Sequence, residues 1–296
     1  MDDSTKQNYI KAGQISAEAL EYGKGLIKKG ASLLDAAEKI EGKIFELGAK
    51  PAFPVQISCN EIAAHFCPEE DDNTIFENQL VSLDLGIHVQ GAIGDNAYTI
   101  DLSGSWSDLV KAAQKALDEA LKIVNVGVEL RQIGKVINDT IAGYGYKPVR
   151  NLSGHGLDIY SIHTNPTIPN IDNGDKAVLK KGMAFAIEPF STNGSGVIGE
   201  RGIPTVFMLR NPRPVRSAIT REVLKELQFY EGLPFAKRWL AKKFGPKANF
   251  ALREMEQLNM IERFPPLVEM GNGIVAQAEH SVLIDDEGET VILTKL

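Results

Sequence analysis

Cysteine is nearly absent from this chain: its 296 residues contain only Cys59 and Cys67. Two cysteines without zinc-type pairing point to neither a disulfide scaffold nor a thiolate zinc site, and read as reduced bystanders. No apolar run approaches membrane-spanning length, and the start MDDSTKQNYIKAGQ lacks a secretory core. The expectation is a soluble cytoplasmic protein with no membrane partner. Basic excess is also missing: 32 Lys and Arg stand against 39 Asp and Glu, a net charge of −7. That balance argues against a general nucleic-acid binder. Low-complexity tracts and repeats of obvious period are lacking. What remains is a chain with 43% hydrophobic residues, enough for one large core or two ordinary ones.

Helical patterns cover about 5–29 and 32–47, the second with Leu33, Ala36, Ala37, Ile40, Ile44 and Leu47 at helical spacing. PAFPVQISC reads as a strand entered through prolines. Residues 80–89 and 92–102 read as paired strands around Gln90-Gly91. Helices are predicted at about 107–126 and 130–143. Strands return near 182–190, 204–209, 274–284 and 290–294. From Arg210 to Phe264 three helical patterns separated by Gly and Pro interrupt this frame. Arg210 to Arg253 holds 11 basic and 3 acidic residues, a surplus the rest of the chain must offset. We read 210–264 as a helical insertion in a strand-rich frame, and the fold class as α+β.

Asp84 in SLDLG, Asp95 in IGDNA, Glu188 in AIEPF and Glu279 in AQAEH sit mostly in apolar, β-prone runs. An ionised carboxylate is expensive there unless it is paired or bound to a cation. Asp84 and Asp95 are 11 residues apart across the predicted hairpin. A two-residue turn and a four-residue loop both place them on one face of the sheet. The alternative is a pair of surface aspartates near a turn. Glu188 and Glu279 have no Lys or Arg in their own strands, which weakens an internal salt bridge. His155, between glycines in SGHG, adds an imidazole. Four negative charges in one place call for two divalent cations, and oxygen ligands with one imidazole suit Mn, Fe(II), Co or Zn. A rival motif, Gly194-Ser-Gly-Val-Ile-Gly199, matches the dinucleotide fingerprint. It is followed by Pro204 and a strand-like run, so no helix N-terminus is there to hold pyrophosphate.

The ordered set Asp84, Asp95, His155, Glu188 and Glu279 resembles the dinuclear metal site of methionine aminopeptidases. The supporting motifs are AFPVQISCNEIAAHFCP, DLGIHVQGAIGDNAYTIDL, LSGHGLDIYSIH, IPNID, FAIEPF, FPPLVE and AQAEHSVLI. The insertion between Glu188 and Glu279 is similar to that of the type 2 subfamily in its short, archaeal form. The resemblance implies the pita-bread fold in a single catalytic domain, 1–296, and a monomer. It implies two divalent ions per chain and removal of N-terminal methionine from peptides and nascent proteins. Glu188 would serve as ligand and general base. His65 and His163 would face substrate, His163 at the developing oxyanion. Phe53, Ile162 and Phe264 would line the methionine slot, with Phe264 where a tyrosine is often found. His280, next to Glu279 on a strand, should face away from the metals. Rival readings are a proline-specific aminopeptidase or dipeptidase of the same fold, and a non-catalytic binding protein. The basic insertion is a candidate face for ribosome association.

Overall fold

A computed structural model describes residues 1–295. Its main sheet runs through seven strands in the order Lys50–Pro51, Leu80–Val89, Ala92–Asp101, Val275–Ile284, Ala184–Ile187, Ser153–Asp158 and Ser161–Pro169. Each adjacent pair is antiparallel. The Val275–Ile284 strand, last of the seven in sequence, is thus the middle of the sheet and joins two hairpins. Val89 pairs with Ala92, so the first hairpin turns in two residues at Gln90-Gly91.

Helices cover the sheet in pairs. α1 (Asp3–Leu26) and α2 (Leu33–Glu46) bury Leu20, Ile40 and Ile44 against Val81, Leu83 and Leu85. α3 (Ser107–Ile123) and α4 (Leu130–Gly143) bury Leu109, Ile133 and Ile137 against Phe185, Ile187 and Val282. Caps set several of these helix starts. Asp2 accepts the Thr5 N–H at 2.7 Å, Ser32 accepts that of Asp35 at 3.3 Å, and Glu129 with Gln132 forms a capping box.

The predicted hairpin and the first four helices are present within a few residues of their expected limits. The hairpin Ser153–Pro169 was not predicted as strand; its Gly, His and Pro content lacks β-propensity, and pairing with Ala184–Ile187 imposes the conformation. The segment 210–264 is not purely helical. α5 (Ala218–Leu227), α6 (Lys237–Phe244) and α7 (Lys247–Gln257) stand on a three-stranded sheet in which Val206–Leu209 pairs with both Phe235–Ala236 and Ile261–Phe264. Phe235 is buried among these helices, whereas Phe250 is 57% exposed. Much of the segment's positive charge is also internally matched. Lys237 meets Glu69 at 2.6 Å, Lys242 meets Glu38 at 2.6 Å, and Arg238 is paired with Glu41.

A candidate metal centre and its cavity

The first hairpin, the central strand and the second half of the sheet all deliver acids to one face. Asp84 lies opposite Ala97, and Ala97 opposite Glu279, so two carboxylates flank one small methyl across three strands. Asp95, two residues before Ala97, points the same way. Glu188 follows the Ala184–Ile187 strand at a break before Pro189, and in the same register it comes level with Glu279. His155 enters from the next strand. Its Nε2 is 3.8 Å from Asp95 Oδ2 and 3.6 Å from Glu188 Oε1, and Asp95, His155 and Glu279 can each direct one atom to a common point. Gly154 permits this approach: a Cβ there would sit 2.2 Å from the Ala186 carbonyl oxygen.

All five predicted ligands therefore converge, and no Lys or Arg is paired with any of the four acids among the described residues. The electrostatic consequence is large. Burial pushes the Asp84 carboxyl up to about 7. Burial first, then repulsion from its neighbours, raises Asp95, Glu188 and Glu279 well above the usual carboxylate range. Asp84 Oδ1 and Asp95 Oδ1 are buried without a hydrogen-bond partner. Burial likewise pushes His155 down to about 3, leaving a neutral imidazole with one ring-nitrogen lone pair to donate. Unmatched oxygens, mutually repelling acids and a neutral imidazole make up a donor set that fits divalent cations.

The centre opens into a cavity of about 280 Å³ lined by Phe53, His65, Ile162, His163 and Phe264 as well as the acids. Every residue predicted for the site reaches this cavity. His65 and His163 have φ of 65° and 60°, in the left-handed region that side chains other than glycine rarely adopt. The His65 N–H donates to Gln56 Oε1 at 2.6 Å, and its ring meets that of Phe264 edge-on at 5.7 Å. Burial holds His65 near 4, aided by His163. His163 is open to the cavity yet hemmed in by protein, which lowers its pKa, and its ring meets that of His155 edge-on at 4.4 Å. Phe53 fits because Gly86 has no side chain: a Cβ there would lie 2.1 Å from the ring. His280 turns away as expected and bonds Thr294 Oγ1 at 2.9 Å.

One participant escaped sequence reading. Gln277, buried two residues before Glu279, directs its Nε2 toward Asp84 Oδ2 at 3.3 Å and Glu188 Oε2 at 3.5 Å. The two-residue spacing within AQAEH was the available signal. The glycine-rich 194–199 loop also has a use other than nucleotide binding. Gly196, Gly271 and Gly273 donate to the buried Glu269 carboxylate at 2.9, 2.6 and 2.8 Å, with Ser195 adding further bonds. Burial alone would raise Glu269; these bonds outweigh it and hold the group below its usual range.

Metallopeptidase family M24 matches residues 7–285. The chain belongs to this family. Its M24 relatives include a methionine aminopeptidase of Archaeoglobus fulgidus, 44% identical over 293 residues, spanning 98% of this chain and 99% of its own. One from Thermococcus onnurineus is 43% identical, with 96% and 97% covered. Among solved structures, methionine aminopeptidase from Thermotoga maritima superposes with a TM-score of 0.70 at 24% identity, covering 100% of this chain and 98% of that one. Prolidase from Pyrococcus furiosus gives 0.64 at 20%, covering 100% of this chain and 65% of its own. These two likenesses establish the M24 pita-bread fold. Among the described residues no helix is long and apolar enough to cross a membrane.

Proposed function

We propose that this chain is a metal-dependent methionine aminopeptidase that removes the N-terminal methionine from peptides and nascent proteins, preferring a small second residue. The observation that carries this is the convergence of Asp84, Asp95, His155, Glu188 and Glu279 beside a cavity reached by two histidines. The family and the near-full-length similarity to curated methionine aminopeptidases support it. The five residues would hold two divalent ions, drawn from Mn, Fe(II), Co and Zn. Four carboxylates without counter-charge favour two ions over one. Bound there, the ions would supply a water acidic enough to react near neutral pH.

The chain's own groups do the rest. The Glu188 carboxylate accepts the proton of the attacking water and passes it to the leaving amine. A ring N–H of His163 stabilises the oxygen that becomes negative, and His65 holds the scissile amide or its leaving nitrogen. Phe53, Ile162 and Phe264 bound an apolar slot suited to an unbranched thioether. The 210–264 segment is, on this reading, the type 2 insertion of a single catalytic domain that works as a cytoplasmic monomer. Association with the ribosome would fall to cations of the insertion that have no acidic partner among the described residues, such as Arg213, Lys225 and Lys247. Lys237, Lys242 and Lys243 are engaged with Glu69, Glu38 and Glu226.

The test is an aminopeptidase assay with Met-Ala-Ser and Ala-Pro-Ala peptides on chelated protein, before and after Mn, Fe(II), Co or Zn is restored. Metal-dependent release of methionine is expected. Cleavage of Ala-Pro-Ala alone would establish the proline-specific alternative.

A further inference from the structure

The slot has two walls from distant parts of the chain. One carries Phe53 and, through the Gln56–His65 bond, His65. The other is the small sheet that supplies Val206 and Phe264, with Pro234 just ahead of its Phe235–Ala236 strand. Behind both lies a buried carboxylate that no step of the reaction uses. Glu41 of α2 is 7% exposed. Its Oε1 accepts the Val55 N–H at 3.3 Å, between Phe53 and Gln56 in sequence. The same oxygen pairs with Arg238, whose side chain is fully buried. Its Oε2 accepts the Trp239 indole N–H at 2.9 Å. Arg238 in turn reaches Cys67 Sγ and the Pro68 carbonyl, just beyond His65. Arg238 and Trp239 come one intervening residue after the Phe235–Ala236 strand, which is hydrogen-bonded to Val206–Phe207.

We propose that Glu41, with Arg238 and Trp239, is a positioning device that fixes the gap between the two walls, and so selects the first side chain of the substrate. The proposal rests on the aminopeptidase reading above. A carboxylate that accepts from both walls holds them at one separation. A buried guanidinium in turn holds the carboxylate in place, because neither charge can be left alone in the interior. Surface ion pairs between Lys237 and Glu69 and between Lys242 and Glu38 follow the same seam but are more exposed to solvent. Shape discrimination between side chains differing by a branch depends on such fixed walls.

The experiment compares Mn-loaded wild type, Glu41→Gln and Trp239→Phe on Met-Ala-Ser and Leu-Ala-Ser peptides. Trp239→Phe removes the indole donor along with part of the ring that stacks on Tyr230, leaves the Glu41–Arg238 pair in place, and so tests the idea even if Glu41→Gln fails to fold. In each folded variant we expect the preference for methionine over leucine to fall at least about 10-fold, the scale of one hydrogen bond to a charged group. The change should lie in KM, with kcat within about 3-fold and Mn affinity by calorimetry unchanged. An unchanged preference in a folded variant would overturn the proposal. So would equal losses of kcat and Mn affinity, which would make the cluster a general support of the metal centre. A wild type inactive on Met-Ala-Ser would instead refute the functional reading itself, and this proposal with it.

Discussion

Removing metal should turn the centre into a source of instability that grows with pH, and Asp84→Asn measures how much. In the metal-free fold, burial lifts the Asp84 carboxyl from 3.8 to about 7. The unfolded chain releases this proton near pH 4, the folded chain only near pH 7. Between those values the folded state binds more protons, so stability falls as pH rises. Below pH 4 the penalty is absent, and above about 7 it is complete. At about 1.4 kcal/mol per tenfold, it amounts to about 4 kcal/mol for this residue alone. Asp95, Glu188 and Glu279 are raised by burial first and then by repulsion from their neighbours, and they add to the fall in the same direction. Asparagine keeps the shape and cannot ionise. Between pH 4 and 8, the stability of metal-free Asp84→Asn relative to metal-free wild type should therefore improve by about 4 kcal/mol. For a chain of this size that is a relative gain of several degrees in Tm. The assay is a set of thermal or urea melts across that range after chelation, with and without Mn. With Mn at about 100 times its Kd the wild type gains about 2.7 kcal/mol at neutral pH, and the variant much less. Metal-free wild type that becomes more stable from pH 5 to 8 would refute the electrostatic account, as would an Asn variant that gains nothing relative to it.

Three further outcomes are expected. Glu188→Gln should reduce kcat at least about 100-fold, the scale of a general base, with a much smaller change in peptide affinity; an equal loss in affinity would make Glu188 a binding group. Met-Ala, Met-Gly and Met-Ser peptides should be cleaved faster than Met-Arg, because the second residue must pass His65 and the insertion, and a panel with equal rates would contradict this. Gly86→Ala should raise KM for methionine peptides about 10-fold at little cost in bound metal, because the new Cβ displaces the Phe53 ring. A crystal structure of that variant with Phe53 unmoved would disprove the steric cause.

Much of this protein is written locally. The hairpin at Gln90-Gly91 and the shared face of Asp84 and Asp95 follow from period-two alternation, which holds whatever lies across the sheet. Glu188 and Glu279 stood out because an acid in an apolar strand is costly anywhere. The family motifs pointed to His65, His163 and His155 without any geometry. Other features exist only in three dimensions. No local pattern says that the Val275–Ile284 strand enters between two hairpins, and that insertion is what brings Glu279 level with Asp84 on one side and Glu188 on the other. The Ser153–Pro169 hairpin has the composition of a loop and becomes strand because its backbone groups find partners across the sheet. The basic insertion looked like a free cationic surface, since charge counted along the chain carries no record of Glu38 and Glu41 waiting on α2 and Glu69 in a distant loop. Residue chemistry is a property of each side chain and survives in the sequence. Which oxygens share a point in space, and which charges are already matched, depends on the strand order, because only the closed sheet sets those distances.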